Sequence, residues 1–322
     1  MIEVPHTGDR IGPYRIDSLV KDGGMASVYR GTDVRTGDPV AIKVPHPEME
    51  CDPLFFDRFQ REAEIGRKLD HPGVVKVLPG EDSGRVCMVM PWVEGCSLRQ
   101  ILDEEKKLAP GRAQRIAVRI CDVLGYIHSH GVVHRDLKPE NLMLDAEDRV
   151  TLIDFGIAGV AGVRRLTFAK LTKAMGTPDY VSPEQVKGKR GDARSDIYSA
   201  GVILYEMLTG QVPFNGANPL MALNQRLVAD AAPVRELDPE ISRGLEEIIR
   251  RALEHNPAHR YPSAQNFAWD LEHPGQVEAA ERLVDDRAKP RRRQTRPMWT
   301  YVALALIPLF IFVLLCFVAS RQ

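Results

Sequence analysis

The feature that most limits what this chain can fold into is a pair of ordered blocks. His134-Arg135-Asp136-Leu137-Lys138-Pro139-Glu140-Asn141 is followed, thirteen residues after Asn141, by Asp154-Phe155-Gly156. Together they set a candidate base, Asp136, and two metal-binding side chains, Asn141 and Asp154, at the spacing that phosphoryl transfer uses. In that chemistry Asp136 orients or deprotonates an acceptor hydroxyl, and Lys138 neutralises charge on the moving phosphoryl group. Asn141 and Asp154 hold Mg²⁺, or Mn²⁺ in its place, against nucleotide phosphates. Surface turn residues are the plainer reading, but turn chemistry does not specify eleven positions in two ordered blocks.

The rest of the body has two textures. Over the first ninety residues strands are expected at Tyr14 to Val20, Ala26 to Thr32, Pro39 to Val44, Val74 to Leu78 and Val86 to Met90. A helix at about Asp57 to Leu69 interrupts them, with Phe55, Phe56, Phe59, Ala63 and Ile65 apolar and Arg61, Glu62, Glu64, Arg67 and Lys68 charged. Past Gly95 the three- and four-residue spacing of apolar side chains predicts helices at Arg112 to His130, Ser195 to Leu208, Ile241 to Leu253 and Ser263 to Leu271. The fold class is therefore α+β and bilobal, a β-rich N-lobe and an α-helical C-lobe, with a nucleotide in the cleft between them.

These blocks closely resemble the protein kinase family, and within it the bacterial Hanks-type Ser/Thr kinases, over residues 11 to 271. Val40-Ala41-Ile42-Lys43 resembles the family's third-strand motif, and Arg61-Glu62-Ala63 lies where its mobile helix supplies a glutamate. The resemblance implies that Lys43 holds the α and β phosphates of ATP and that Glu62 holds Lys43. Lys21-Asp22-Gly23-Gly24-Met25-Ala26-Ser27-Val28 stands where the phosphate-covering Gly-x-Gly-x-x-Gly-x-Val loop is expected. It keeps Gly23 as the central glycine, Gly24-Met25 resembles a variant of the bacterial members, and Lys21 stands at the first glycine with Ala26 or Ser27 near the third. Glycine there lets backbone N–H groups approach phosphate oxygens. Met88 to Gly95 resembles the adenine-binding hinge, with Met90 as gatekeeper, the Pro91 carbonyl accepting from the amino group and the Val93 N–H donating to the ring. Val28 and Ala41 roof the ring, and Val20 is counted with the nucleotide-binding residues.

Asp154 opens an activation segment that resembles the family's up to Ser182-Pro183-Glu184. Glu184 is expected to pair with Arg260, and Asp196 to anchor the catalytic loop. Gly176-Thr177-Pro178-Asp179-Tyr180 matches the substrate-facing loop of Ser/Thr kinases and, with Lys138, favours Ser/Thr acceptors. Thr167 and Thr172 are candidate autophosphorylation sites, whose phosphate would pair with Arg135 and order the segment.

The C-terminus differs in kind. Trp299 to Ala319 carries no charged residue, and at 1.5 Å rise its twenty-one residues span about 31 Å, the thickness of a bilayer's hydrocarbon core. Trp299 and Tyr301 at one edge and Pro308 in the middle suit a transmembrane helix better than a core helix. Lys289, Arg291, Arg292, Arg293 and Arg296 just before it put the preceding chain in the cytoplasm and attract anionic lipid headgroups. The expected organisation is a tail over 1–10, a kinase domain over 11–271 and a basic juxtamembrane linker over 272–298 with one short helix from Gln276 to Asp286. A membrane helix over 299–319 and a tail over 320–322 complete it. The polar N-terminus has no secretory signal.

A formal net charge of −1 gives no reason to expect nucleic acid, and 44% hydrophobic with 27% charged residues suits a globular core. Five cysteines without a Cys-x-x-Cys pair fit free thiols in a reducing compartment, with no disulfide or structural metal. The resulting expectation is a single-pass Ser/Thr kinase of the inner membrane. It uses Mg-ATP, acts on cytoplasmic proteins and pairs transiently with a second copy for trans-autophosphorylation. With three residues after the helix, a direct extracellular ligand is not expected. The alternatives are a pseudokinase scaffold that binds nucleotide or partners without turnover, suggested by Lys21, and a small-molecule kinase, which leaves Gly176 to Glu184 unexplained.

Overall fold

Strand alternation builds the first layer. The computed structural model describes residues 5–50, 53–79, 86–154, 178–216 and 218–278. Strands β1 (Arg10–Ile11), β2 (Tyr14–Asp22), β3 (Ala26–Asp33) and β4 (Pro39–Pro45) are followed by helices α1 (Pro47–Glu50) and α2 (Pro53–Lys68). Strand β5 (Met88–Pro91) then completes an antiparallel sheet of order β1-β2-β3-β4-β5. Along β4, Val40, Ile42 and Val44 bury against Ile11, Tyr14, Ile16, Tyr29 and Val89. The intervening Ala41 and Lys43 take the other face, where Met88 and Met90 pack with Phe59 and Ala63 of α2. Cross-strand register sets Val28, Lys43 and Met88 in one row and Arg30, Ala41 and Met90 in the next.

The second layer is helical. Strands β6 (Cys96–Ser97), β7 (Leu142–Leu144) and β8 (Val150–Leu152) form a small sheet. Helix α3 (Leu98–Glu105) starts at a capping box in which Ser97 and Gln100 satisfy each other's backbone N–H groups. Then come α4 (Pro110–Ser129), α5 (Pro183–Val186), α6 (Ala193–Thr209), α7 (Pro219–Val228), α8 (Val234–Leu237), α9 (Arg243–Ala252) and α10 (Ala264–Glu272). Helix α6 is buried around its whole circumference from Ser195 to Leu208. Asp192 caps its start and Gly210, at φ 75°, its end. It packs against α4, α9 and α10, so polar residues on α6 are fixed in a rigid setting.

One expected strand is absent. Residues Val74 to Leu78 form no strand: Val74 makes a single bridge to Leu152, and the N–H groups of Val75, Val77 and Leu78 donate to Leu152, Gly66 and Val89. Those acceptors lie in three different elements, so no ladder forms. The β-branched run is instead a connector buried between two cores, Val74 in the helical one and Val75 and Val77 under the sheet. Helix α2 also begins at Pro53, earlier than its apolar pattern suggested, because proline fits a first helical turn. The compact unit runs to Glu278 and residues 274–278 are helical. The rest of the expected Gln276 to Asp286 helix, the basic linker and the span 299–319 lie outside the described residues. Among the described residues no helix is long and apolar enough to cross a membrane. Cys87, Cys96 and Cys121 are free thiols.

Candidate active site

Lys43 reaches the cleft from the middle of β4 and meets two carboxylates. Its Nζ donates to Glu62 Oε1 of α2 at 2.9 Å and to Asp154 Oδ1, just past β8, at 2.7 Å. Burial by itself lowers the lysine's pKa, but the Asp154 and Glu62 charges outweigh it and raise it. Burial also pushes Asp154 up, yet the Lys43 ammonium holds its carboxyl below the usual range. Glu62 goes the other way, raised above its ordinary 4.5 by burial and then by the charge on Asp154. Asp154 is thus the stronger anion of the pair.

The turn between β2 and β3 leads into β3, where Val28 pairs with Lys43. A Cβ on Gly23 would sit 2.8 Å from the Ala26 carbonyl, so the close turn requires glycine there. Gly24 has open space around it. Lys21, in place of a glycine, is part of β2, paired with Val28. Among the described residues the positive-φ non-glycines are only Lys106, Arg135 and Asp148, so the backbone at Lys21 and Ala26 asks for no glycine. Val20 is 51% exposed on the sheet, and Met90 is buried opposite Ala41. Val93, Ala41 and Ile153 pack on the cluster that holds Met90 and Phe59. The hinge-side residues and α2 therefore share one apolar floor. Pro91 ends β5 and is paired with Val40.

The 134–141 loop hangs from α6. Asp196, fully buried, accepts the His134 N–H and the Arg135 N–H at 2.8 Å each, and also lies 2.8 Å from His128 Nε2. These bonds hold Arg135 at φ 66°, a left-handed conformation that disfavours a long side chain. Gln185 Nε2 holds the Arg135 carbonyl at 2.9 Å. His134 Nδ1 accepts the Asp136 N–H at 3.2 Å while its Nε2 donates to the Asp154 carbonyl. Asn141 Nδ2 donates to the Asp136 carbonyl at 3.0 Å, which leaves its amide oxygen as an acceptor able to face a cation, and the Ile153 N–H donates to the Asn141 carbonyl at 3.0 Å. Lys138 Nζ contacts Asp136 Oδ2 at 2.6 Å. Asp154, the first residue of the second block, is therefore hydrogen-bonded to the 134–141 loop through His134.

Against known proteins, the sequence profile described as the protein kinase domain matches residues 14–270. The chain belongs to the protein kinase family. A probable serine/threonine-protein kinase of Streptomyces coelicolor is 39% identical over 266 residues, covering 81% of this chain and 40% of that protein. The serine/threonine-protein kinase PknB of Mycolicibacterium smegmatis is 35% identical over 291 residues, 87% of this chain and 46% of that protein. The chain therefore spans less than half the length of these curated relatives, both bacterial Ser/Thr kinases. In structure it resembles the PknI kinase domain of M. tuberculosis, with a TM-score of 0.67 at 26% identity, over 85% of this chain and all of the other.

Farther along the chain, Glu184 and Arg260 form a buried bidentate pair at 2.8 and 2.8 Å, and Ser195 Oγ donates to Glu184 Oε1 at 2.6 Å. Phe155, Gly156, Thr167, Thr172, Gly176 and Thr177 lie outside the described residues. Spacing gave no sign of a second network. Tyr180 OH donates to Glu206 Oε2 at 2.6 Å, and Arg99 Nη1 donates to Glu206 Oε1 at 2.7 Å. Ser199 Oγ donates to the Tyr180 carbonyl at 2.7 Å. Tyr180 and Glu206 stand 81 and 107 positions from Arg99, and each of the three alone reads as a solvated helix or loop residue.

Proposed function

We propose that the chain is an active Ser/Thr protein kinase that transfers the γ-phosphoryl group of Mg-ATP to hydroxyls of cytoplasmic proteins, anchored by a helix over residues 299–319. The observation that carries the reading is Lys43 bridged to both Glu62 and Asp154 across the cleft from the Lys138–Asp136 contact. The donor set fits the cofactor: the Asn141 amide oxygen and Asp154 carboxylate are hard oxygen ligands suited to Mg²⁺, and Lys43 is a cation for nucleotide phosphates. Bound Mg²⁺ supplies charge neutralisation on the phosphate oxygens.

In this reading Asp136 takes the proton of the acceptor hydroxyl as its oxygen bonds to the γ-phosphorus, and the bond to the β-phosphate oxygen breaks to release ADP. Lys138 balances the charge that gathers on the transferred group. Glu62 keeps Lys43 in place, while Val20, Gly23, Gly24, Val28, Ala41, Pro91 and Val93 surround the nucleotide. Arg135 favours an activation-segment phosphate: its guanidinium donates to the Arg190 carbonyl at 3.1 Å, and burial and the Arg190 charge both lower its pKa, a setting that an anion relieves. Thr167 and Thr172 are the sites proposed for it, reached in trans from a transient second copy.

The full chain incubated with Mg-ATP is expected to acquire phosphate on Thr167 or Thr172, mapped by mass spectrometry, and a Lys43→Met variant to stay bare. A wild type that binds ATP and never gains or transfers phosphate would replace this reading with a nucleotide-binding scaffold. The membrane part has its own check: the chain should sediment with membranes through a high-salt wash, and a variant lacking 299–319 should be released. Equal release of both would leave only the basic linker holding it.

A further inference from the structure

The phosphate-covering turn carries a side-chain cluster that the chemistry above does not use. Ser27 Oγ donates to Asp22 Oδ1 at 2.7 Å, and His46 Nε2 lies 3.1 Å from that same oxygen and 3.1 Å from Ser27 Oγ. His46 also donates its backbone N–H to the Met25 carbonyl at 3.0 Å, and its own carbonyl accepts the Met49 N–H at 2.8 Å. Ser27 is 4% exposed, so its hydroxyl needs these partners. One residue thus touches the start of the turn at Asp22, its tip at Met25 and its return at Ser27.

Two physical problems meet here. An acidic side chain beside a turn that receives phosphates repels them, and the adjacent Gly23 and Gly24 make the turn costly to order. Donors from Ser27 and His46 converge on Asp22 Oδ1, which draws the carboxylate toward protein and compensates its charge. His46 directly follows β4, three positions after Lys43. The turn above the phosphates and the lysine that meets them are therefore registered to one strand.

We propose that His46 is a positioning residue for nucleotide binding: it latches the 22–27 turn to the end of β4 and compensates Asp22, in a loop where glycine is replaced at Lys21 and Ala26. The proposal rests on the reading of the cleft as an Mg-ATP site. It assigns His46 to affinity and not to the transfer step, because Asp136, Lys138, Asn141 and Asp154 sit on other segments.

The test uses the full chain, with the Kd of a non-hydrolysable ATP analogue in Mg²⁺ and the KM and kcat for Mg-ATP measured side by side. His46→Ala is expected to raise Kd and KM about five- to tenfold, the loss of one or two modest hydrogen bonds, with kcat within about twofold. His46→Gln, which keeps a donor, should return both to within about twofold of wild type, and Asp22→Asn added to His46→Ala should recover part of the loss by removing the uncompensated charge. The role of His46 is overturned if His46→Ala binds the analogue like wild type, if kcat falls while affinity holds, or if His46→Gln melts like wild type yet binds as poorly as His46→Ala. A wild type that binds the analogue and transfers no phosphate removes the kinase reading instead, and the binding comparison still decides the latch.

Discussion

Replacing Asp136 with Asn is expected to lower kcat for transfer to a protein hydroxyl by about 10³-fold and to leave the KM for Mg-ATP within about threefold. The backbone at this position is tied independently of the side chain, through the His134 ring to its N–H and the Asn141 amide to its carbonyl. The isosteric amide therefore keeps the loop in place and removes only the proton acceptor and the negative partner of Lys138, 2.6 Å away. Single-turnover rates with saturating nucleotide isolate the transfer step. A fall of less than about tenfold would show that the hydroxyl proton leaves by a route other than Asp136, since positioned general bases contribute at least that much.

Arg260→Ala should be the most damaging change for stability, at about 3–5 kcal/mol, because it leaves the Glu184 carboxylate buried without its cation. Arg260 is 2% and Glu184 8% exposed, and both oxygens of the carboxylate are engaged by the guanidinium. The pair also sets a pH signature. Burial pushes Glu184 up, but the bonds from Arg260 outweigh it and hold its pKa below the ordinary 4.5. In the wild type the unfolded chain therefore binds the proton more readily, so this contribution is complete above 4.5 and is lost as pH falls through the depressed folded value. In Arg260→Ala the folded pKa rises above the unfolded one, the sign reverses, and the penalty shrinks as acid protonates Glu184. Urea midpoints for both proteins across pH 4 to 7.5 or so would show the two curves converging toward acid. A constant gap would mean that the loss comes from packing and not from an isolated charge.

What could be read from the sequence followed from local rules. The strand expected at Pro39 to Val44 and the helix expected at about Asp57 to Leu69 both form, and Lys43 meets Glu62 as the resemblance implied, although Glu62, counted on the charged face, is buried. The blocks 134–141 and 154–156 carried the family resemblance, which the match to the protein kinase domain over residues 14–270 bears out. Where reading stopped, the information was not local. Val74 to Leu78 has strand composition, but its partners come from three elements, which no window of sequence contains. Arg99, Tyr180 and Glu206 acquire a shared role only through tertiary contact. The same holds for His46, whose ring stands alone in sequence and meets Asp22 24 positions earlier. Helix caps and strand registers are written in neighbours, whereas networks are written in the fold.

The first turns of α6 tie α5, the 134–141 loop and the turn ending at Tyr180 to one helical phase. Ser195 reaches Glu184, Asp196 the catalytic loop and Ser199 the Tyr180 carbonyl. At 3.6 residues per turn, one residue inserted between Asp196 and Ser199 rotates the second attachment by about 100° against the first. Surface loops of this domain have room to vary in length, but this stretch of helix behaves as a ruler whose markings are angular. Drift in its length is the change that the 134–141 loop and the 180–184 segment could not absorb together.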